Sequence, residues 1–200
     1  MGRFLNKGNG KFAELAASKY FVDKSGLINK LLEKDGTEKF ICNSRARRFG
    51  KSVTADMLVA YFSKGADSRE LFALLNCEKN KLFVENMNQY DTIFMDIQAQ
   101  FVQAKMKKLE PNNYVHKLLL QELRTEYPEI VSEEDTIADA LSNIYNNIQN
   151  QFVIIFDEWD YPIRELEEGC QERTDYIEFL RGLFKNSDAK EYVRLAYLTG

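Results

Sequence analysis

The chain has 200 residues, of which 44% are hydrophobic and 29% charged, and its formal net charge at pH 7 is −4. This composition is typical of a soluble globular protein and gives no global reason to expect a nucleic-acid or membrane surface. The three cysteines lie far apart and form no Cys-x-x-Cys pair, which argues against a disulfide framework or zinc site and favours a cytoplasmic location. No run approaches the roughly 18 apolar residues that a membrane span needs. The single histidine, His116, lies in a polar, helix-like stretch, where a surface position is expected.

Helical and strand patterns alternate along the chain. In chain order, the spacing of apolar residues predicts a helix at 11–17, a helix beginning at Asp23, a strand at 38–43, helices at 52–63 and 68–75, a strand at 90–97, helices within 98–149 of which the last is capped at 132–135, a strand at 151–156, a helix at 172–185 and a strand at 192–198. This alternation predicts an α/β fold with a parallel central sheet and helices on both faces. Because a buried strand ends the chain, we expect the 200 residues to be a fragment truncated at the C-terminus.

A basic loop lies between the first predicted strand and the next helix. It reads Arg45-Ala46-Arg47-Arg48-Phe49-Gly50-Lys51-Ser52, and its end is typical of a phosphate-binding loop. In such a loop, backbone N–H groups and the start of the helix hold phosphates, the lysine reaches the outer phosphates and the hydroxyl binds Mg²⁺. The strict pattern fails, because Arg45 stands where the first glycine belongs. A basic surface turn or a nucleic-acid patch is the competing interpretation.

Two carboxylates follow an apolar strand far down the chain. The run 152–156 leads directly into Asp157 and Glu158, at the end of the strand where open α/β sheets bind ligands. Asp157 is placed to bind Mg²⁺ close to Ser52, and Glu158 to orient or deprotonate the attacking water. The alternative is a solvated acidic turn. Together with the loop, the pair predicts a nucleoside triphosphate site.

Other polar residues at predicted strand ends carry two interpretations each. Thr199 either hydrogen-bonds the γ-phosphate or the attacking water, or simply ends its strand. Asp96 either supports the metal ligands or belongs to a turn. Asp160 either is a spare carboxylate of the site or, as we expect, shapes the turn before Pro162.

The arginines of the loop also leave alternatives open. The guanidinium groups of Arg45, Arg47 and Arg48 are expected to contact phosphate or brace the loop. Nucleic-acid contact and plain solvated charge are the alternatives. With Phe49, Gly50, Lys51, Ser52 and Val53, these arginines make up the predicted nucleotide-binding set.

Five segments come in the order of one known family. They are Tyr20-Phe21-Val22-Asp23-Lys24-Ser25-Gly26-Leu27-Ile28, the loop 45–52, Asp157-Glu158-Trp159-Asp160, Phe179-Leu180-Arg181-Gly182-Leu183-Phe184 and Leu198-Thr199-Gly200. The chain resembles the bacterial AAA-ATPase-like proteins, whose members commonly carry a PD-(D/E)xK nuclease-like domain after the ATPase part. The resemblance covers nearly all of the chain. The arginine in place of the first glycine is a habit of that family, and Ala46, where many members have proline, is a mild departure.

The resemblance implies a three-layer P-loop NTPase fold of the additional-strand type, in which the Thr199 strand separates the Asp157 strand from the loop strand. It implies one domain over 1–200, with a helical lead-in at 1–36 and a core at 37–200. It also implies that Lys51, Ser52, Asp157 and Glu158 hold ATP and Mg²⁺, as Walker A and Walker B motifs do, and it assigns no arginine finger.

Taken together, these expectations predict an ATPase that drives or gates an effector, with Glu158, Lys51 and Thr199 as its catalytic residues. The alternatives are an ATP-dependent switch with little hydrolysis, a nucleic-acid-binding module and, more weakly, a small-molecule phosphotransferase. ATP is the expected partner, together with nucleic acid through an absent nuclease-like domain and further copies of the chain in a homo-oligomer; no membrane is expected.

Overall fold

The structure, a computed structural model, describes residues 2–44 and 49–200. Within these ranges the sheet has four strands: β1 (Phe40–Asn43), β2 (Asp91–Asp96), β3 (Phe152–Asp157) and β4 (Val193–Thr199). They lie in the order β1-β4-β3-β2, and every neighbouring pair is parallel. The predicted α/β class with a parallel sheet is therefore confirmed, and β4 separates β3 from β1 as the additional-strand arrangement requires.

Helices connect and cover these strands. In chain order they are α1 (Gly10–Ala16), α2 (Gly26–Leu32), α3 (Lys51–Phe62), α4 (Arg69–Ala73), α5 (Lys81–Asn86), α6 (Ile97–Met106), α7 (Pro111–Glu126), α8 (Ile137–Ile148), α9 (Tyr161–Glu165), α10 (Gln171–Phe184) and α11 (Ala189–Tyr192). Among the described residues, no helix is long and apolar enough to cross a lipid bilayer.

Each face of the sheet packs on its own apolar core. On one face, Phe94, Ile155 and Tyr197 join buried residues of α2, α3 and the α4–α5 region. On the other face, residues such as Ile154 join α6, α7, α8 and α10. Successive residues of a strand point to opposite faces, so the continuous apolar run of β3 supplies both cores. Complete burial of β3 accounts for the unbroken apolar run from which the strand was predicted.

The N-terminal residues cover the β2 edge of the sheet. Leu5 forms an antiparallel bridge with Ile93, and the amide of Phe94 donates to the carbonyl of Phe4 at 2.8 Å. On α7, the Glu122 carboxylate accepts from the amides of Phe4 at 2.9 Å and Leu5 at 2.8 Å, and from that of Arg3 at 2.8 Å. One carboxylate thus satisfies three backbone donors beside two buried side chains.

Some predicted boundaries were wrong. The capping box of α8 is formed by Thr136 and Asp139, one turn after the predicted start at 132–135. The helix predicted to begin at Asp23 starts at Gly26, and the Asp23 carboxylate instead accepts from the amides of Ser25 and Asn76. The short helices α5, α9 and α11 were missed, since four to six residues carry too little periodicity to reveal them.

Replacing Glu122 with alanine is expected to lower the free energy of unfolding by about 3 kcal/mol, because the substitution leaves three amides without their charged acceptor. Urea denaturation of Glu122→Ala measures the change. Glu126→Ala, which removes an exposed carboxylate one turn further along α7, is the matched control and should stay within about 0.5 kcal/mol of the wild type. Equal losses in both variants would contradict the role of Glu122.

Candidate functional site

A row of polar residues crosses the carboxyl edge of the sheet. Asn43 is in register with Thr199, Thr199 with Asp157, and Asp157 with Asp96. Each is the last residue of its strand, and two positions earlier each strand points an apolar side chain at the α3 side. Alternation along the strands therefore directs all four towards α3.

The first turn of α3 lies opposite this row. Gly50, which caps the helix, has a left-handed backbone with φ 73°, a conformation that glycine adopts without steric cost. Lys51 and Ser52 are the first two helical residues, so the start of α3 belongs to the predicted loop. Further along, the Thr54 hydroxyl donates back to the Gly50 carbonyl at 3.0 Å.

Ser52 and Asp157, the two predicted metal ligands, lie close to each other. The Asp157 carboxylate accepts the amide of Glu158 at 3.1 Å, and the Ser52 side chain lies close enough to this carboxylate to affect its pKa. Asp157 is only 3% exposed. Burial raises the pKa of this carboxyl, the neighbouring Ser52 hydroxyl opposes the rise, and the nearby Asp96 adds to it.

Glu158 turns the chain out of the sheet and carries a partly exposed carboxylate. Its backbone is left-handed, with φ 49°, which is uncommon for a residue other than glycine and typical of constrained functional turns. Its carboxylate lies 3.7 Å from the Arg164 guanidinium, which also contacts Asp160 at 2.7 Å and Glu165 at 3.1 Å. The short helix α9 thus places the Arg164 guanidinium beside the acidic turn that contains Glu158 and Asp160.

Thr199 carries a fully buried hydroxyl between Asn43 and Asp157. Its Oγ1 atom has no hydrogen-bond partner in the part of the chain that the structure describes. A buried hydroxyl without a partner costs free energy, so such atoms mark places where a further polar group belongs. The backbone amide of Trp159 donates to the carbonyl of Thr199 at 3.3 Å, and this bond connects the acidic turn to β4.

A cavity of about 430 Å³ opens beside the loop end. Phe49, Gly50 and Val53 line it from one side, and Tyr20, Val22 and Lys24 from the other. Tyr20 is 80% exposed, Val22 68% and Phe49 60%, so large apolar side chains are gathered at its mouth.

The remaining predictions have separate outcomes. Arg45, Arg47 and Arg48 lie outside the described residues, so their roles stay predictions. Asp96 caps α6 by accepting from the Ala99 amide at 2.8 Å while standing next to Asp157 in the row. His116 is half-buried on α7, remote in the chain from these residues, and burial lowers its pKa.

The donor set fits a nucleotide-bound Mg²⁺ and does not form a protein metal cage. Among residues 2–44 and 49–200, no group of three or more histidine, cysteine or acidic side chains is arranged to hold a metal ion. Mg²⁺ needs no such cage, because it keeps several waters and binds through one or two protein oxygens plus phosphates. The Ser52 hydroxyl and the nearby Asp157 carboxylate are oxygens of that kind.

Comparison with known families decides the class of protein. A family model described as predicted AAA-ATPase matches residues 8–200. The chain belongs to this AAA-ATPase-like family. The resemblance inferred from its five segments is confirmed, and ATPase-like nucleotide binding is the property that the family description indicates. No curated protein matches the chain, and no solved structure matches it.

Sequence reasoning missed three residues that lie at or beside this candidate site. Asn43 ends β1 in register with Thr199, which its position at the end of the first predicted strand could have revealed. Arg164 reaches the acidic turn through the undetected helix α9. Lys24 contacts the carbonyl of Phe49 across a separation of 25 residues, and no sequence pattern signals such a contact.

Replacing Thr199 with valine should leave stability unchanged or raise the free energy of unfolding by about 1 kcal/mol, because a methyl group replaces an unpartnered buried hydroxyl. Thr92→Val is the matched control. That threonine is equally buried, but its hydroxyl donates to the Tyr90 carbonyl at 3.1 Å, so its loss should cost about 1 kcal/mol. Urea denaturation separates the two variants, and similar losses in both would show that the Thr199 hydroxyl is already satisfied.

Asp157→Asn should stabilise the nucleotide-free protein at pH 7, and the gain should shrink as the pH falls towards 4. The raised pKa means that the folded state holds this proton more tightly than the unfolded state, so wild-type stability falls as pH rises from the ordinary aspartate range through the raised pKa. Melting temperatures from pH 4 to 8, without Mg²⁺ or nucleotide, measure the trend. The exposed substitution Glu168→Gln is the control, and a gain independent of pH would refute the burial argument.

Proposed function

We propose that this chain is an ATP-binding, Mg²⁺-dependent ATPase module that drives or gates an attached effector. The observation that carries the proposal is the pair formed by Ser52, in the first turn of α3, and the buried Asp157 carboxylate close to it at the carboxyl end of β3. It lies at the edge of a parallel sheet, where α/β proteins bind ligands. Membership of the AAA-ATPase-like family supports the same assignment.

Each residue then has a task that its position supports. The amides at the start of α3 hold phosphate oxygens, and Lys51 reaches the outer phosphates. Ser52 and Asp157 would hold Mg²⁺, whose charge offsets the negative charge of the phosphates when it is bound. The Thr199 hydroxyl donates to the γ-phosphate or to the attacking water, which would give this buried group its partner.

Glu158 is the proposed general base. Its carboxylate accepts a proton from the water whose oxygen bonds to the γ-phosphorus, while the bond from phosphorus to the bridging oxygen of ADP breaks. The Arg164 guanidinium lies 3.7 Å from the Glu158 carboxylate and offsets the negative charge of the acidic turn. The cavity lined by Tyr20, Val22 and Phe49 lies beside the loop end and suits the base and sugar of the nucleotide.

An ATP-dependent switch with little hydrolysis is the second candidate. The contact between Arg164 and Glu158 favours it, because a carboxylate held by a cation is less available to take a proton from water. Turnover measured on the isolated chain distinguishes the two. A nucleic-acid-binding module draws on Arg45, Arg47 and Arg48, which lie outside the described residues, and the site described above lends it no support.

Lys51→Ala should weaken ATP·Mg²⁺ binding at least about tenfold, because it removes a charge-assisted contact to the phosphates. Glu158→Gln should keep the binding while lowering turnover about 100-fold or more, because the amide cannot accept the proton. Calorimetry measures the affinity and phosphate release measures turnover, with the exposed substitution Lys30→Ala as the control.

Unchanged ATP affinity in Lys51→Ala would overturn the nucleotide site. Wild-type binding without turnover, together with no effect of Glu158→Gln, would leave the switch as the correct function. Salt-sensitive DNA or RNA binding in place of ATP binding would favour the nucleic-acid module.

A further inference from the structure

A lysine outside the loop reaches the place where α3 begins. The Lys24 ammonium donates a hydrogen bond to the carbonyl of Phe49, the residue before the helix cap. A Cβ atom placed on Gly50 would lie 3.0 Å from the Lys24 nitrogen, so the cation lies directly against this glycine. We propose that Lys24 is a second phosphate-binding lysine, which exchanges the Phe49 carbonyl for the outer phosphates of the nucleotide. This inference rests on the proposed ATP site.

The present acceptor of Lys24 is a weak one for a full positive charge. A backbone carbonyl is neutral, whereas phosphate oxygens are charged and form hydrogen bonds roughly twice as strong with ammonium groups. Within the described part of the chain, no carboxylate lies within ion-pair distance of the Lys24 nitrogen. A polyphosphate at the start of α3 would therefore be its strongest available partner.

The segment that carries Lys24 is fastened on both sides. The Asp23 carboxylate accepts from the amides of Ser25 at 2.8 Å and Asn76 at 2.6 Å. Although burial alone would raise the pKa of Asp23, these hydrogen bonds lower it, which keeps the carboxylate charged. The Phe21 ring packs edge-on against Phe12 of α1, with ring centroids 5.7 Å apart. Lys24 is thus presented to the loop by an anchored turn.

The same segment walls the 430 Å³ cavity. Tyr20, Val22 and Lys24 line one side of it, while Phe49 and Gly50 line the other. Lys24 therefore stands at the boundary between an apolar cavity and the phosphate end of the site. If Lys24 contacts the outer phosphates, the number of phosphates on the nucleotide would affect this side of the cavity, where the base is proposed to bind.

Competition against a fluorescent ATP analogue tests the proposal with ATP, ADP and AMP as the probes. The proteins are the wild type, Lys24→Met, Lys24→Arg and the control Lys30→Met, which removes an exposed lysine of α2. Lys24→Met should weaken ATP about 10- to 100-fold, ADP less, and AMP by less than about twofold, because the lost contact is to the outer phosphates. Lys24→Arg should recover part of the ATP affinity, and Lys30→Met should match the wild type.

The possible outcomes distinguish a failure of this inference from a failure of the proposed function on which it rests. Equal losses for ATP, ADP and AMP would show that Lys24 merely braces the loop, and unchanged affinities would show that it has no role in binding; either result overturns the inference and leaves the ATP site standing. If the wild type binds no nucleotide, the proposed function fails and the inference fails with it. Melting temperatures of the nucleotide-free variants show whether a loss of affinity reflects unfolding.

Discussion

The register of the parallel sheet is the constraint on which the site depends. Backbone pairing aligns the last residues of the strands, so Asn43, Thr199, Asp157 and Asp96 form one line at one edge. A slip of one residue in β3 would turn Asp157 to the opposite face of the sheet and separate it from Ser52. The apolar residues that fix the register are therefore as important for the chemistry as the polar ones. Burial of β3 on both faces makes such a slip costly, since every side chain would change its core.

The site itself is locally unfavourable for folding. It contains a desolvated carboxylate at Asp157, an unpartnered hydroxyl at Thr199 and a left-handed backbone at Glu158. Each of these costs free energy in the protein alone. The carboxylate and the hydroxyl become favourable or neutral when a cation or a hydrogen-bonding ligand is present, whereas the backbone strain persists because the surrounding structure holds it. The two apolar cores offset this cost. Concentration of strain at one edge, with well-packed cores elsewhere, is the pattern expected of a binding site.

The sequence predicted the sheet and the main carboxylates because both follow from local patterns. The apolar run of β3 ends at Asp157, and that boundary is legible without any knowledge of tertiary structure. Contacts between segments that are distant in the chain could not be predicted from the sequence. Leu5 pairs with Ile93, Arg164 reaches Glu158 through a five-residue helix, and the ammonium of Lys24 reaches Phe49 from another element. No periodicity encodes these contacts, since each depends on packing that forms only when distant segments meet. The metal-binding and catalytic roles of the site residues remain predictions that binding and turnover experiments will test.

The N-terminal segment also determines how the sheet meets its surroundings. An unpaired strand edge is a template for association with another extended chain. At β2 that template is already used, because residues 2–6 occupy it and Glu122 holds them there. At the opposite edge of the sheet, β1 pairs only with β4 within the described ranges. The two edges of the sheet therefore differ within the described ranges: the N-terminal segment already occupies the template for strand addition at β2, whereas β1, the strand that leads into the basic loop, pairs only with β4.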